Sequence, residues 1–362
     1  MECITETSTN PVGVADGVAQ ASTLRTQDLS HAELQGSCGL PCPRGPLSHR
    51  LFSSLTRAPH PIAKPRVRCP NPLTNDDFQL ALYCCYELHY QGLPQVTESW
   101  EWEPSLLAFR RELESAFEAA LRAEACPPSD VTPSGVQESL LDLSQGDGLS
   151  LSRWLLEHGR FWHAQEFAIH RSGYQLKEAD PHTWAIPRLT GRAKAAMVAI
   201  QWDEYGRGRP NEMHAALFAD SMRALGLDPS YGAYLERLPG VTLATINLIS
   251  LFGLHRRLRG ALTGHLAGFE MNSVGPMGRY SRWLEHLGIP AHGRRFYDVH
   301  VTADEVHQHI ALRELVGGYL DAEPHQGSEV LFGARALAAL EGAFADHVID
   351  AWQHDRSSLW IS

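Results

Sequence analysis

The stretch HVTADEVHQHIAL, which begins at His300, crowds three imidazoles and two carboxylates into ten residues. At about 100° per residue on a helix, Asp304 falls about 40° from His300, and His307 about 20° to its other side. His300, Asp304 and His307 therefore share one narrow stripe, whereas His309 falls on the opposite face. Val299, Val306 and Ile310 border the stripe, so it is expected to face inward on an amphipathic helix. Imidazoles and a carboxylate buried together are costly unless something pairs with them. A divalent metal ion is one such partner, since mixed imidazole and carboxylate ligands suit iron, manganese or zinc. The bland alternative is a set of core-edge residues bonded to each other and to neighbouring helices.

One stripe cannot fill a coordination sphere, so other segments must supply ligands. Glu-x2-His, the pairing that ferritin-like di-iron bundles draw from two of their helices, does not occur in this chain. Glu204 and His214 in AIQWDEYGRGRPNEMHAALF are ten residues apart, with GRGRP between them. Two glycines and a proline can unwind a helix there and bring both side chains to one centre. Glu178 is expected at the end of a long helix, just before Asp180-Pro181. Each has an ordinary reading as well: Glu178 as an ion-pair partner, Glu204 on a solvated face, His214 as a satisfied helix histidine. Glu87 and His89 diverge on a helix and are weaker candidates.

Taken together, Glu178, then Glu204 and His214, then His300-x3-Asp304-x2-His307 resembles the ligand pattern of the heme-oxygenase-like di-iron oxidases and oxygenases. YQLKEADPHTWAIPRLTGRAKAAMVAIQWDEYG and LFGLHRRLRGALTGHLAGFE are similar to their iron-containing redox enzyme branch, and the likeness spans about residues 75–355. The resemblance implies an all-α, heme-oxygenase-like helical bundle. It also implies two Fe(II) ions per chain held by those six residues, with Glu166 and Asp180 as competitors for the place of Glu178. The implied reaction is oxidation of a small organic substrate by O2: N-oxygenation, desaturation or C–C cleavage. No electron donor is implied, and no cupin-like β-domain follows the helices. The alternatives are a mononuclear metal enzyme and a metal-free helical binding or scaffold protein.

The elements that must position these residues read as helices almost throughout. Residues 1–45 are rich in Ser, Thr, Gly and Gln and are expected to be a disordered tail. Residues 46–130 read as a smaller helical region with core tyrosines Tyr83, Tyr86 and Tyr90, and ACPPSDVTPSG marks a boundary. Residues 131–362 read as the bundle, with helices expected at about 152–178, 192–205, 211–225, 241–257, 258–270, 277–287, 298–319 and 333–354. Asp228-Pro229 reads as a further helix start. Hydrophobic residues make up 43% of the 362 and charged residues 20%, so core material is ample. A net charge of −11 without a basic patch argues against nucleic acid. VTLATINLISLFGLH is interrupted by Asn247 and His255, so no membrane span is expected, and no secretory signal is read. The expected compartment is the cytoplasm, and a homodimer is left open. Seven cysteines, with Cys38 and Cys42 lacking partners at zinc-finger spacing, fit neither a disulfide framework nor a zinc site.

Overall fold

The computed structural model describes residues 39–129, 131–144 and 150–361, and among them every regular element is helical. Helix α1 (Pro46–Leu55) and helix α2 (Asp76–Glu87) start at a proline and at an Asn75 cap whose side chain accepts from Phe78 N–H. Helix α3 (Pro104–Ala125) also opens on proline, capped by the Glu103 carboxylate. Then come α4 (Pro133–Ser144), α5 (Leu151–His158), α6 (Phe161–Gln175), the short α7 (Asp180–Thr183), α8 (Gly191–Glu204) and α9 (His214–Ala224). Helix α10 (Gly240–Leu254) is apolar on nearly every face and is buried accordingly. The chain goes on through α11 (Arg259–His286), α12 (Ala291–His309), α13 (Gly317–Ala322) and α14 (Gly327–Gln353), and α10 packs against α2, α7, α11 and α14.

The centre of the bundle is α11, which packs along both α12 and α14. Its approach to α14 is backbone to backbone. A Cβ on Gly264 would lie 1.8 Å from the Val330 carbonyl oxygen, and one on Gly333 would lie 1.9 Å from that of Ala261. Only glycine permits this crossing. Packing on both sides also carries α11 straight through Pro276 as one helix, where two were expected. The opposite difference occurs upstream. The helix expected over 152–178 breaks between α5 and α6, because Gly159 sits where a Cβ would strike Leu155 O and the Trp283 indole, both at 2.3 Å. Asp228 starts no helix; its carboxylate accepts from Ser230 N–H in a local turn.

Residues 39–45, the end of the expected tail, are tied to the bundle. The Arg44 side chain is 1% exposed and donates to the carbonyls of Leu235, Glu236 and Leu238. Helix α3 is joined to the bundle by Arg122, which holds Glu329 of α14 through two bonds, and by Glu118, which pairs with Arg257. The structure describes no part of residues 1–38, so Cys38 lies outside it, while Cys42 is exposed and unpaired.

Candidate metal centre

Five elements converge on one buried pocket. Glu178 lies past the end of α6, in the turn before α7, rather than on a long helix. The next residue, Ala179, has φ +75°, a conformation that a residue with a Cβ adopts only under constraint. Three donors hold its carbonyl, Gln201 Nε2 at 2.8 Å, Thr183 N–H at 3.0 Å and Thr183 Oγ1 at 3.2 Å. Glu204 is the last residue of α8 and His214 the first of α9. Between them the chain makes two 3₁₀ turns and folds back at Gly206, whose φ is +64° and whose Cβ would lie 2.4 Å from Met213 N. The GRGRP break therefore does what its composition suggests, and His214 Nδ1 stands 2.7 Å from Glu204 Oε2.

Helix α12 presents His300, Asp304 and His307 on one buried face and leaves His309 exposed. Val306, expected at the border of that face, is 57% exposed instead; the face is flanked by Phe296, Tyr297 and Ala311. The helix continues into a π-helical segment, Ile310–Val316, an uncommon geometry that recurs at functional sites. From α11 comes Glu270, which the spacing analysis does not name, although it is the last residue of the quoted LFGLHRRLRGALTGHLAGFE.

Glu178, Glu204, His214 and His300 each bring a donor atom within 4.8 Å of the others, and so do Glu204, Glu270 and His307. Glu204 belongs to both groups. Its Oε2 faces His214, and its Oε1 stands 3.7 Å from His307 Nδ1. His300 Nε2 is 3.1 Å from His214 Nδ1 and 3.6 Å from Glu178 Oε1. His307 Nδ1 is also 3.4 Å from Glu270 Oε2 and 3.7 Å from Asp304 Oδ1. Ligand atoms at 2.0–2.2 Å from one ion stand about 3 Å apart, so these spacings suit shared ions. The hydrogen bonding supports the same reading. Glu178 Oε2, Glu204 Oε2, Asp304 Oδ1 and His307 Nδ1 are buried without a hydrogen-bond partner, although charged groups surround them. The donor set thus fits divalent metal.

The imidazoles are oriented from behind. His300 donates Nδ1–H to the Phe296 carbonyl at 2.7 Å, which leaves the Nε2 lone pair toward the pocket. His307 donates Nε2–H to Asp203 Oδ2 at 3.0 Å, leaving Nδ1 inward. Asp203 is itself held by Arg207 Nε at 2.6 Å. Such outer partners fix the tautomer and raise ligand basicity.

The charges in the pocket are strongly coupled. Burial, with the neighbouring acids, pushes the Glu178 and Glu270 carboxyls up, and burial together with Glu270 carries Asp304 to about 7. Burial acts against charge on Glu204 too, but His214, His300 and His307 hold it at about 2. The imidazoles respond in turn: against burial, Glu178 raises His300 to about 10, and Glu270 raises His307 to about 9. Four carboxylates could carry four negative charges, which two divalent ions would balance.

Other sequence candidates serve elsewhere. Glu166 accepts from Trp352 Nε1 and from Ser358, pinning the C-terminal segment, and Asp180 accepts from Tyr205. Glu87 pairs with Lys177 at 2.7 Å, while His89 contacts Glu101 and Arg110. Tyr83, Tyr86, Cys84 and Cys85 are core.

A cavity of about 20 Å³ lies against Glu178, Glu204, Glu270, His300 and Asp304. Beside it opens one of about 810 Å³, and the two share Phe269, Ser273 and Met277 as walls. No described helix is long and apolar enough to cross a membrane. In comparisons with known proteins, a family model described as iron-containing redox enzyme matches residues 165–342, a span that holds both groups of acids and imidazoles and Asp304. No curated protein matches the chain.

Proposed function

The chain belongs to the iron-containing redox enzyme family, and on that premise we propose that it is a non-heme di-iron enzyme using O2 to oxidise a small organic substrate. The observation that carries the count of two is Glu204: its two oxygens face two different imidazole groups, as a carboxylate bridging a pair of ions would. Glu178, His214 and His300 would hold one ion, and Glu270 and His307 the other, with Asp304 beside His307. Bound as the ferrous pair, iron would supply the electrons and the open coordination positions that reaction with O2 requires.

The chain's own groups set the conditions for that chemistry. Phe296 O and Asp203 hold two imidazoles in their ligating tautomers. Leu266, Phe269 and Met277 wall the pocket with apolar surface and restrict water. His182, on the same wall, is lowered by burial to about 4 and stays neutral, so it adds no positive charge beside the ions. A substrate in the larger cavity would lie across the wall formed by Phe269, Ser273 and Met277. N-oxygenation, desaturation and C–C cleavage all remain within this reading.

The test is iron content and O2 consumption after anaerobic addition of ferrous iron. About two ions per chain and iron-dependent O2 uptake support the proposal. One ion per chain would favour a mononuclear enzyme, and none a helical binding protein.

A further inference from the structure

The larger cavity has a charge pattern that the metal centre does not explain. Its body is lined by Phe167, Phe218, Phe269, Met277, Tyr280 and Leu337. Its outer end carries Arg153 and Arg279, and neither has a carboxylate partner among the described residues. Arg279 donates Nε–H to Ser152 Oγ at 2.8 Å, which leaves its two terminal amino groups available. These lie over Gly275, where a Cβ would be 3.4–3.5 Å away. The one other arginine in the lining, Arg171, is neutralised by two bonds to Glu341. Gln175, also in the lining, is buried and its Oε1 has no partner among the described residues. The cavity thus runs from a guanidinium without a carboxylate partner among the described residues, at an exposed rim, through apolar walls, to the Phe269, Ser273 and Met277 wall that it shares with the metal pocket.

We infer that this cavity binds an organic anion, a carboxylate or a phosphate ester, with its acid group on Arg279 and Arg153 and its apolar body directed toward the metal centre. The inference rests on the proposed oxidase reading only for what happens at the inner end. Guanidinium forks match carboxylate and phosphate through paired N–H donors, and an unpaired one at the rim of an apolar cavity is a ready anchor. Burial and the neighbouring Arg153 both lower Arg279, as two cations lacking an acid should do, and a bound anion would relieve that repulsion. Gln175 Oε1 would accept one N–H or O–H of the ligand.

Helix α11 sets the length. Glu270, Ser273 and Met277 share its inner face, and Arg279 reaches back over Gly275. At about 1.5 Å per residue, the anchor lies about 8–13 Å along the helix from Glu270. A ligand with that span between its acid group and its reacting atom would fit.

Calorimetric titration of the full-length chain, with and without ferrous iron, decides the matter. The probes are straight-chain carboxylates of graded length, with alkyl phosphates, uncharged alcohols and alkyltrimethylammonium ions of matched length. Binding should require the anionic head, peak at the stated span, and weaken about 10- to 100-fold in Arg279→Gln, as expected for a lost charged hydrogen bond. Arg279→Lys should recover part of the loss. A preference between carboxylates and phosphates identifies the head group. Alcohols or ammonium ions binding as tightly as the acids, or an unaltered Arg279→Gln, would overturn the inference. Anion binding through Arg279 in a chain that takes up no iron would sink the oxidase reading and leave the anion site standing. Iron uptake without anion binding would do the reverse.

Discussion

Asp203 offers the sharpest test of how the centre is built, because it supports one imidazole and belongs to neither donor group. Its Oδ2 accepts His307 Nε2–H at 3.0 Å, while Arg207 holds its other oxygen. Asp203→Asn keeps the volume and removes the charge that makes His307 a stronger ligand. Loss of such an outer partner weakens metal binding about 10- to 100-fold, or about 1.4–2.7 kcal/mol. The structure says where that loss falls. His307 groups with Glu204 and Glu270, whereas His300 and His214 sit with Glu178 on the other side of Glu204. An anaerobic ferrous titration against a competing chelator should therefore show one binding step weakened and the other nearly preserved. Arg207→Ala, which removes only the exposed partner of Asp203, should move the weakened step far less. Equal weakening of both steps, or no change in either, would refute the assignment of His307 to a separate ion.

Glu204→Ala should abolish both iron-binding steps, because one carboxylate faces both groups, whereas exposed His309→Ala should leave iron content unchanged by metal analysis. Ala179→Gly removes the steric cost of φ +75°, so thermal stability should hold or rise, by up to about 1 kcal/mol. The freed turn should also let Glu178 move, seen as slower or weaker uptake of the first ion. Deleting residues 1–38 should leave folding intact, while Arg44→Ala should lower the melting temperature, because three carbonyls lose their buried donor. Burial opposes charge on Glu118, but Arg257 and Arg122 hold its carboxyl below the usual 4.5. Its contribution to stability is therefore complete above that value and disappears as pH falls through the lower folded value. Glu118→Gln should flatten this acid limb in denaturation curves.

The acid and imidazoles that α12 brings to the pocket were legible because helical phase alone places His300, Asp304 and His307 together and His309 apart. Glu204 and His214 were legible from the breaker between them, since Gly206 and Pro210 both signal that the chain turns. Glu270 was not, because a single acid among GHLAGFEM has no partner at a diagnostic spacing. The available signal was its phase: Leu266, Glu270, Ser273 and Met277 recur on one face of α11. Helix limits misled where tertiary contact overrode local preference. Separate helices were expected at about 258–270 and 277–287, yet α12 and α14 hold α11 together through Pro276. Gly159 reads as tolerable inside a helix, yet the Trp283 indole fills the space and the chain bends.

Glu178 also shows how residues outside the family match bear on the centre. Its neighbour Lys177 is buried and ion-paired at 2.7 Å to Glu87 of α2, which precedes the matched span 165–342. Tyr231 donates to the other oxygen of Glu87 at 2.5 Å, and the Lys177 ammonium lies 4.4 Å from the Tyr90 ring and 4.8 Å from that of Tyr83. Breaking a buried pair by removing one partner typically costs about 3–5 kcal/mol, because the other charge is left stranded. That penalty keeps Lys177 on Glu87, which fixes the backbone one residue before Glu178 and two before the strained Ala179. The strain at Ala179 points the Glu178 carboxylate into the pocket only while both flanks are held, by Lys177 before it and by the bonds to the Ala179 carbonyl after it. Helix α2 thus contributes to the geometry of the centre without supplying a ligand.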